Sequence, residues 1–257
     1  MCGIAGTYWL GRQPNQFILE KALSALEHRG PDEAGIYWDD RVGLVHSRLS
    51  IIDLSAGKQP FTYNNDSPIL VFNGEIFNYQ ELRRQLIDNG NTFRTNSDTE
   101  VLYVLLCKYG KSSLTRINGQ FAFAYYDPHN GDLLLGRDPF GEKPLYYSDK
   151  KGFSFSSEIK AIFQLTSSQP ELCGQAVHAL AALWAPVPTG SFWKDIKSVP
   201  PGYLLRYHSG KVCIEKYFSY QSEQGVLEAE PENIRTQFNQ AVKNRLVSDV
   251  PVGLFLS

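Results

Sequence analysis

The chain begins MCGIAGTYWL, and its second residue is a cysteine. Once Met1 is removed, Cys2 holds a thiol and a free α-amine on one residue. An α-amine titrates near about 8 and a thiol near about 8.5, so the amine can take the thiol proton directly or through one water. No separate histidine is then required. Taken alone, a cysteine at position two is equally an ordinary small residue, and the catalytic reading depends on what else the chain supplies.

Four further residue sets bear on it. In HSRLSIID, Arg48 stands where a strand-like run ends. Arginine is suited to gripping a carboxylate through two parallel bonds, although a surface ion pair is the plainer use. In VFNGEIFN, Asn73-Gly74 is either a turn or two donors, a side-chain amide and a backbone N–H, aimed at one oxygen. An oxyanion hole of that kind is valuable, since losing one donor costs about 2.7–4 kcal/mol of barrier. Glu75, beside it, can receive an ammonium or an amide. Asp98 in SDTE falls in a first helical turn, where acids are common for dipole reasons; it can instead pair with an α-ammonium. Together these groups describe one ligand, an amino acid with a carbonyl side chain.

Strands and helices must position them. CGIAGTYW reads as an N-terminal strand, and NQFILEKALSALEHRG as an amphipathic helix stopped at Gly30-Pro31. VGLVHSRLSIID and ILVFNGE are strand-to-loop segments. A helix starts near Asn78 with Glu81 placed as a capping box, and another at Ser97 with Glu100, ending at Gly110. In FAFAYYD, Phe121, Phe123 and Tyr125 share one face and Ala122 and Ala124 the other, so the small face admits another layer closely. Cys107 lies in an apolar helix pattern and reads as a buried, inert thiol. Strands pair mostly with near neighbours, which predicts antiparallel sheets covered by a few helices rather than a doubly wound parallel sheet. Further on come the short helix QAVHALAALW, the Pro-rich stretch APVPTGSFWKDIKSVPPG and a hairpin turning at Ser209-Gly210. Polar residues from Gln221 to Glu230 read as a linker, and PENIRTQFNQAVKNRLVSD as a new amphipathic helix.

The bulk numbers set limits. The 257 residues carry a formal charge of −2, which gives no basic footprint for nucleic acid and no polybasic membrane patch. Cys2, Cys107, Cys173 and Cys213 are widely separated, which argues against a metal site and a disulfide framework. The start has no secretory pattern and no apolar run is long enough to span a bilayer, so a cytoplasmic, reducing setting is expected.

The motifs MCGIAG, HRGPDEAG, HSRLSIIDLS, QP, NGEIFNY, SDTE, GQFAFAYYD, RDPFGEKPLYY and SSEIKA occur in the order and spacing of class II, N-terminal-nucleophile glutamine amidotransferases. More closely, the chain resembles the glutaminase part of glutamine-hydrolysing asparagine synthetases of the bacterial B type, from Cys2 to its last residue. The resemblance implies an α+β fold, a four-layer αββα sandwich of two antiparallel sheets. It also implies the start of an α/β ATP-pyrophosphatase-type domain at the C-terminus. The implied division is a glutaminase domain over 2–217, a linker over 218–230 and the beginning of a synthetase domain over 231–257.

Carried onto this sequence, the resemblance makes Cys2 the nucleophile that forms a γ-glutamyl thioester with L-glutamine and releases ammonia. Asn73 and Gly74 would form the oxyanion hole. Arg48, with the backbone of Leu49, Ser50, Ile51 and Ile52, would hold the α-carboxylate, and Glu75 and Asp98 the α-ammonium. RGPDEAG and RDPFGEKPLYY are read as scaffolding. No metal or cofactor is expected in this chain. ATP and Mg would belong to the synthetase domain, where ammonia amidates activated L-aspartate. The sequence stops at Ser257, where the family's S-G-G-x-D-S phosphate loop starts, so asparagine synthesis is not expected of this polypeptide alone. A homodimer is compatible with the resemblance. Two alternatives stay open: the glutaminase module of another ammonia-channelling amidotransferase, and a non-catalytic glutamine-binding remnant.

Overall fold

The computed structural model describes residues 1–11, 13–150, 152–184, 190–220 and 230–254. Most of the expected linker (221–229), part of the Pro-rich stretch (185–189) and the last three residues of the expected synthetase-domain beginning (255–257) lie outside them.

Eleven strands and six α-helices follow one another as β1 Gly3–Tyr8, α1 Gln16–Leu26, β2 Glu33–Trp38, β3 Val42–Arg48, β4 Ile69–Ile76, α2 Tyr79–Asp88, α3 Asp98–Tyr109, β5 Gly119–Asp127, β6 Asp132–Arg137, β7 Tyr146–Ser148, β8 Phe153–Ser156, α4 Ile159–Thr166, α5 Gly174–Leu183, β9 Lys197–Ser198, β10 Tyr203–His208, β11 Lys211–Lys216 and α6 Pro231–Asn244, counted among the described residues. One sheet has the order β2-β3-β1-β8-β7-β9 and the other β11-β10-β6-β5-β4. Every pairing between these strands is antiparallel among the described residues.

The layers follow from alternation along each strand. On β1, Ile4 faces the second sheet and Ala5 faces α1. On β5, Ala122 and Ala124 face the first sheet, while Phe121 and Phe123 pack under α2 and α3. Helices α1 and α4 cover the outer face of the first sheet through Leu19, Leu26 and Leu165. The result is α1/α4, sheet, sheet, α2/α3: the αββα sandwich. Among the described residues no helix is long and apolar enough to cross a membrane.

The Ser97 cap forms as expected, its hydroxyl accepting the Glu100 N–H at 3.2 Å. Gly110 ends α3 with φ 54. Three expectations are corrected. Glu100 does not return to Ser97; its carboxylate accepts the N–H groups of Arg94 and Thr95 and the Tyr63 hydroxyl. Asn78 makes no side-chain cap on α2, because its amide bridges Arg116 O and Asn118 N, both at 3.0 Å, on the neighbouring loop. Cys107 is exposed, at the end of α3 where the helix passes the Tyr125 hydroxyl 3.4 Å away.

Candidate active site

Cys2 immediately precedes β1, which fixes it at the end of the first sheet beside the end of β3. Its Sγ accepts the Leu49 N–H at 3.4 Å and lies 3.6 Å from Leu49 O. Burial pushes the thiol pKa up, against the opposing help of the Leu49 bond. A thiol in that environment needs a base close by. The nearest amine is the chain's own N-terminus. Burial lowers the pKa of the N-terminal amine of Met1; Cys2 opposes that, and Arg29 and Lys143 add to it. Arg29, in the 3-10 turn after α1, donates Nε to the Cys2 carbonyl at 2.9 Å and Nη1 to Glu158 at 2.9 Å, so it anchors the nucleophile's backbone.

The residues expected to act as oxyanion donors come from β4, the edge strand of the second sheet. An edge strand leaves every second residue's N–H and C=O without a strand partner. Here those groups are met individually. The Leu70 N–H goes to Phe61 O, the Phe72 N–H to Gln59 Oε1 at 2.6 Å, and the Ile76 N–H to Asp98 Oδ2 at 3.1 Å. Gly74 has the same parity, and its pairing residue Phe121 turns its own N–H and C=O toward Asp138 on the opposite side. The Gly74 N–H therefore points outward, into the cleft. Beside it, Asn73 is 1% exposed and its Nδ2 is buried without a hydrogen-bond partner. Native structures rarely tolerate an orphaned buried donor unless something else fills it. Gly74 is required by packing: a Cβ there would lie 2.2 Å from Gln120 O. His46, fully buried on β3, meets the Phe72 carbonyl through Nε2 at 3.1 Å, and burial pushes its pKa down to about 4, so it stays neutral.

The same cleft is lined by Arg48, Leu49, Ile51, Ile52, Glu75 and Asp98. Arg48 is buried and already engaged. Nη1 donates to Glu33 at 2.9 Å, and Nη2 to the carbonyls of Asp53 at 2.7 Å and Ile52 at 3.2 Å. Gly57 makes room for this, since a Cβ there would meet Arg48 Nη2 at 2.3 Å. Arg48 thus latches the loop after β3 as well as facing the cleft. Ser50 is the one expected residue that does not line it; its N–H donates to Asp32 Oδ2 at 2.8 Å. Asp98 begins α3, and burial first, with Glu75 adding like charge, pushes its pKa up to about 7.

Gln59, Thr99 and Lys143, which fall in the motifs QP, SDTE and RDPFGEKPLYY but were given no site role from sequence, also line the cleft. Gln59 sits between the Phe72 N–H and Thr99 Oγ1, at 2.6 and 3.3 Å. Lys143 comes from RDPFGEKPLYY, which does act as scaffolding. Asp138 accepts the N–H groups of Phe140, Glu142 and Lys143 at 3.0 Å each, and Arg137 donates to the carbonyls of Gly141, Lys143 and Val199. That ordered loop delivers the Lys143 ammonium to the cleft mouth, 3.4 Å from Met1 Sδ. The position of a loop lysine opposite residue 1 has no local sequence signal. Among the described residues no cluster of His, Cys, Asp and Glu is arranged to hold a metal ion.

The family described as glutamine amidotransferase domain matches residues 1–218. Asparagine synthetase [glutamine-hydrolyzing] 3 of Bacillus subtilis (strain 168) is 32% identical over 265 residues, which cover 100% of this chain and 43% of that protein. Asparagine synthetase B [glutamine-hydrolyzing] of Escherichia coli (strain K12) is 33% identical over 263 residues, covering 100% and 42%. The chain therefore spans about two fifths of the length of these curated relatives. Among solved structures, the allosteric regulatory enzyme of purine biosynthesis superposes with a TM-score of 0.63 at 22% identity, over 85% of this chain and 50% of that one. The glutamine phosphoribosylpyrophosphate amidotransferase of B. subtilis gives 0.62 at 22% identity, over the same shares. At that identity the likeness is one of fold.

Proposed function

This chain belongs to the glutamine amidotransferase domain family, and from that premise we propose that it hydrolyses L-glutamine at Cys2. Met1 is removed, and the Cys2 α-amine takes the thiol proton. The thiolate attacks the side-chain amide carbon, and the negative charge on the amide oxygen is received by Asn73 Nδ2 and the Gly74 N–H. Collapse breaks the C–N bond; the protonated amine returns its proton to the leaving nitrogen, which departs as ammonia. Water, deprotonated by the same amine, then opens the γ-glutamyl thioester to glutamate. Arg48 and the backbone of Leu49, Ile51 and Ile52 orient the α-carboxylate, and Glu75 and Asp98 the α-ammonium.

The observation that carries this reading is the buried, unpartnered amide of Asn73 on the same cleft as Cys2. A donor left empty in the resting protein and filled only when an oxyanion forms is what transition-state stabilisation requires. The names of the relatives extend the proposal. In a protein of those relatives' length, the ammonia would amidate ATP-activated L-aspartate in a following synthetase domain that holds ATP and Mg, in the cytoplasm and as a homodimer. Four free cysteines are in keeping with a reducing compartment.

The test is ammonia release from L-glutamine by the purified chain with Met1 removed. Cys2→Ala is expected to abolish it, and Asn73→Ala to lower kcat by about 10²–10³-fold. Equal rates in wild type and Cys2→Ala would sink the proposal.

A further inference from the structure

The loop that latches Arg48 is also held from a distant part of the chain. After α6 the backbone turns back toward the cleft. Arg245 lies over the Phe77 ring at 5.1 Å, and Val247 packs against the core under α2 and α3. Ser248 then makes a tight turn with Val250, its hydroxyl accepting the Val250 N–H at 3.1 Å. That turn presents Asp249 to the loop at two points. The Asp249 N–H donates to Ile51 O at 2.9 Å, and its carboxylate accepts the Asp53 N–H at 2.7 Å.

Asp53 is where the two halves of the substrate end meet. Its carbonyl accepts Arg48 Nη2, and its Oδ2 accepts the Asn96 N–H at 2.7 Å, two residues before Asp98. It does this with φ 51, a left-handed conformation that a non-glycine residue keeps only where its surroundings hold it. Of the polar groups of Asp53, the N–H is the one met from the C-terminal side of the chain, beyond the residues 1–218 that match the family.

We propose that Asp249 is a positioning residue for the substrate cleft: by clamping Ile51 and Asp53 it holds Arg48 and the start of α3 at the spacing that grips the α-carboxylate and α-ammonium of glutamine. The segment after α6 thereby sets the affinity of the cleft for its substrate. This rests on the glutaminase reading above. Asp249 touches neither substrate nor nucleophile, so its loss acts on binding and leaves the chemistry at Cys2, Asn73 and Gly74 alone.

The experiment compares initial rates over a range of L-glutamine for the full 257-residue chain, Met1 removed, as wild type, D249A, D249S and D249N. D249A removes the side-chain acceptor, and the shorter D249S pulls it out of reach. Each is expected to raise KM about fivefold while kcat stays within about twofold. D249N still offers an oxygen to the Asp53 N–H and is expected to restore KM to near the wild-type value. An active wild type with KM unchanged in D249A and D249S overturns the proposal alone, as does a fall in kcat and thermal stability, equal in all three variants, without a change in KM. A wild type that releases no ammonia overturns the functional reading and this proposal with it.

Discussion

The carboxyl of Asp98 is buried at the start of α3, with its pKa pushed up to about 7 by desolvation and by the neighbouring Glu75. A raised folded-state pKa means the folded chain keeps a proton that the unfolded chain has released. From about pH 4 to about pH 7, Asp98 therefore costs the resting protein stability as pH rises. A bound α-ammonium reverses the preference, since it pairs with the ionised form. Glutamine KM is thus expected to rise as pH falls from about 8 to about 6, as Asp98 takes up its proton. Asp98→Asn should show a high KM that does not vary over that range. A wild-type KM that improves toward acid would contradict the assignment. Cys2, Asn73, Gly74, Glu75 and Asp98 were singled out in the sequence because together they offer a thiol, two hydrogen-bond donors and two acids that suit one ligand, and the structure brings all five onto one cleft. The latch of Arg48 on Glu33, the Gln59 bridge and the reach of Lys143 were not, since they depend on loops that meet only after the sandwich has closed.

Strand β4 does the most at the scale of elements. As a sheet edge it exposes a row of backbone groups, and side chains or loop backbone meet that row at Leu70, Phe72 and Ile76, leaving the Gly74 N–H for the cleft. The requirement for glycine is steric, because β5 comes within 2.2 Å of where a Cβ would stand. Gly74→Ala must push β4 off β5, and is expected to destabilise the fold by about 1–3 kcal/mol, read as a lower thermal midpoint, with ammonia release falling as the oxyanion donors shift. An unchanged midpoint with full activity would contradict that packing. The alternation in FAFAYYD predicted which faces lie against the other sheet and which under the helices. The hydrogen bonds at α2 and α3 were harder to foresee. Ser97 capped as expected, but Asn78 and Glu100 served neighbouring loops, a choice that depends on contacts 5 to 40 residues away.

For the whole molecule, the sandwich gives the proposed nucleophile near the start of the chain a fixed place. β1 is a central strand of the first sheet, paired with β3 and β8, so residue 2, directly before it, is anchored at the end of a well-packed strand. The antiparallel, layered architecture was legible from short strands with near neighbours, whereas the orders β2-β3-β1-β8-β7-β9 and β11-β10-β6-β5-β4 rest on long-range pairings with no local signal. The account makes the chain's first covalent event, loss of Met1, part of its chemistry, because a retained Met1 turns the Cys2 amine into a non-basic amide. The most direct measurement is mass spectrometry of the chain, acid-quenched during turnover of L-glutamine and digested. The account predicts an N-terminal peptide that begins at Cys2, lacks Met1 and carries the added mass of one γ-glutamyl group, with no such adduct in the absence of glutamine or in Cys2→Ala. Ammonia release from a chain that still carries Met1, or turnover with the adduct on another residue, would contradict it.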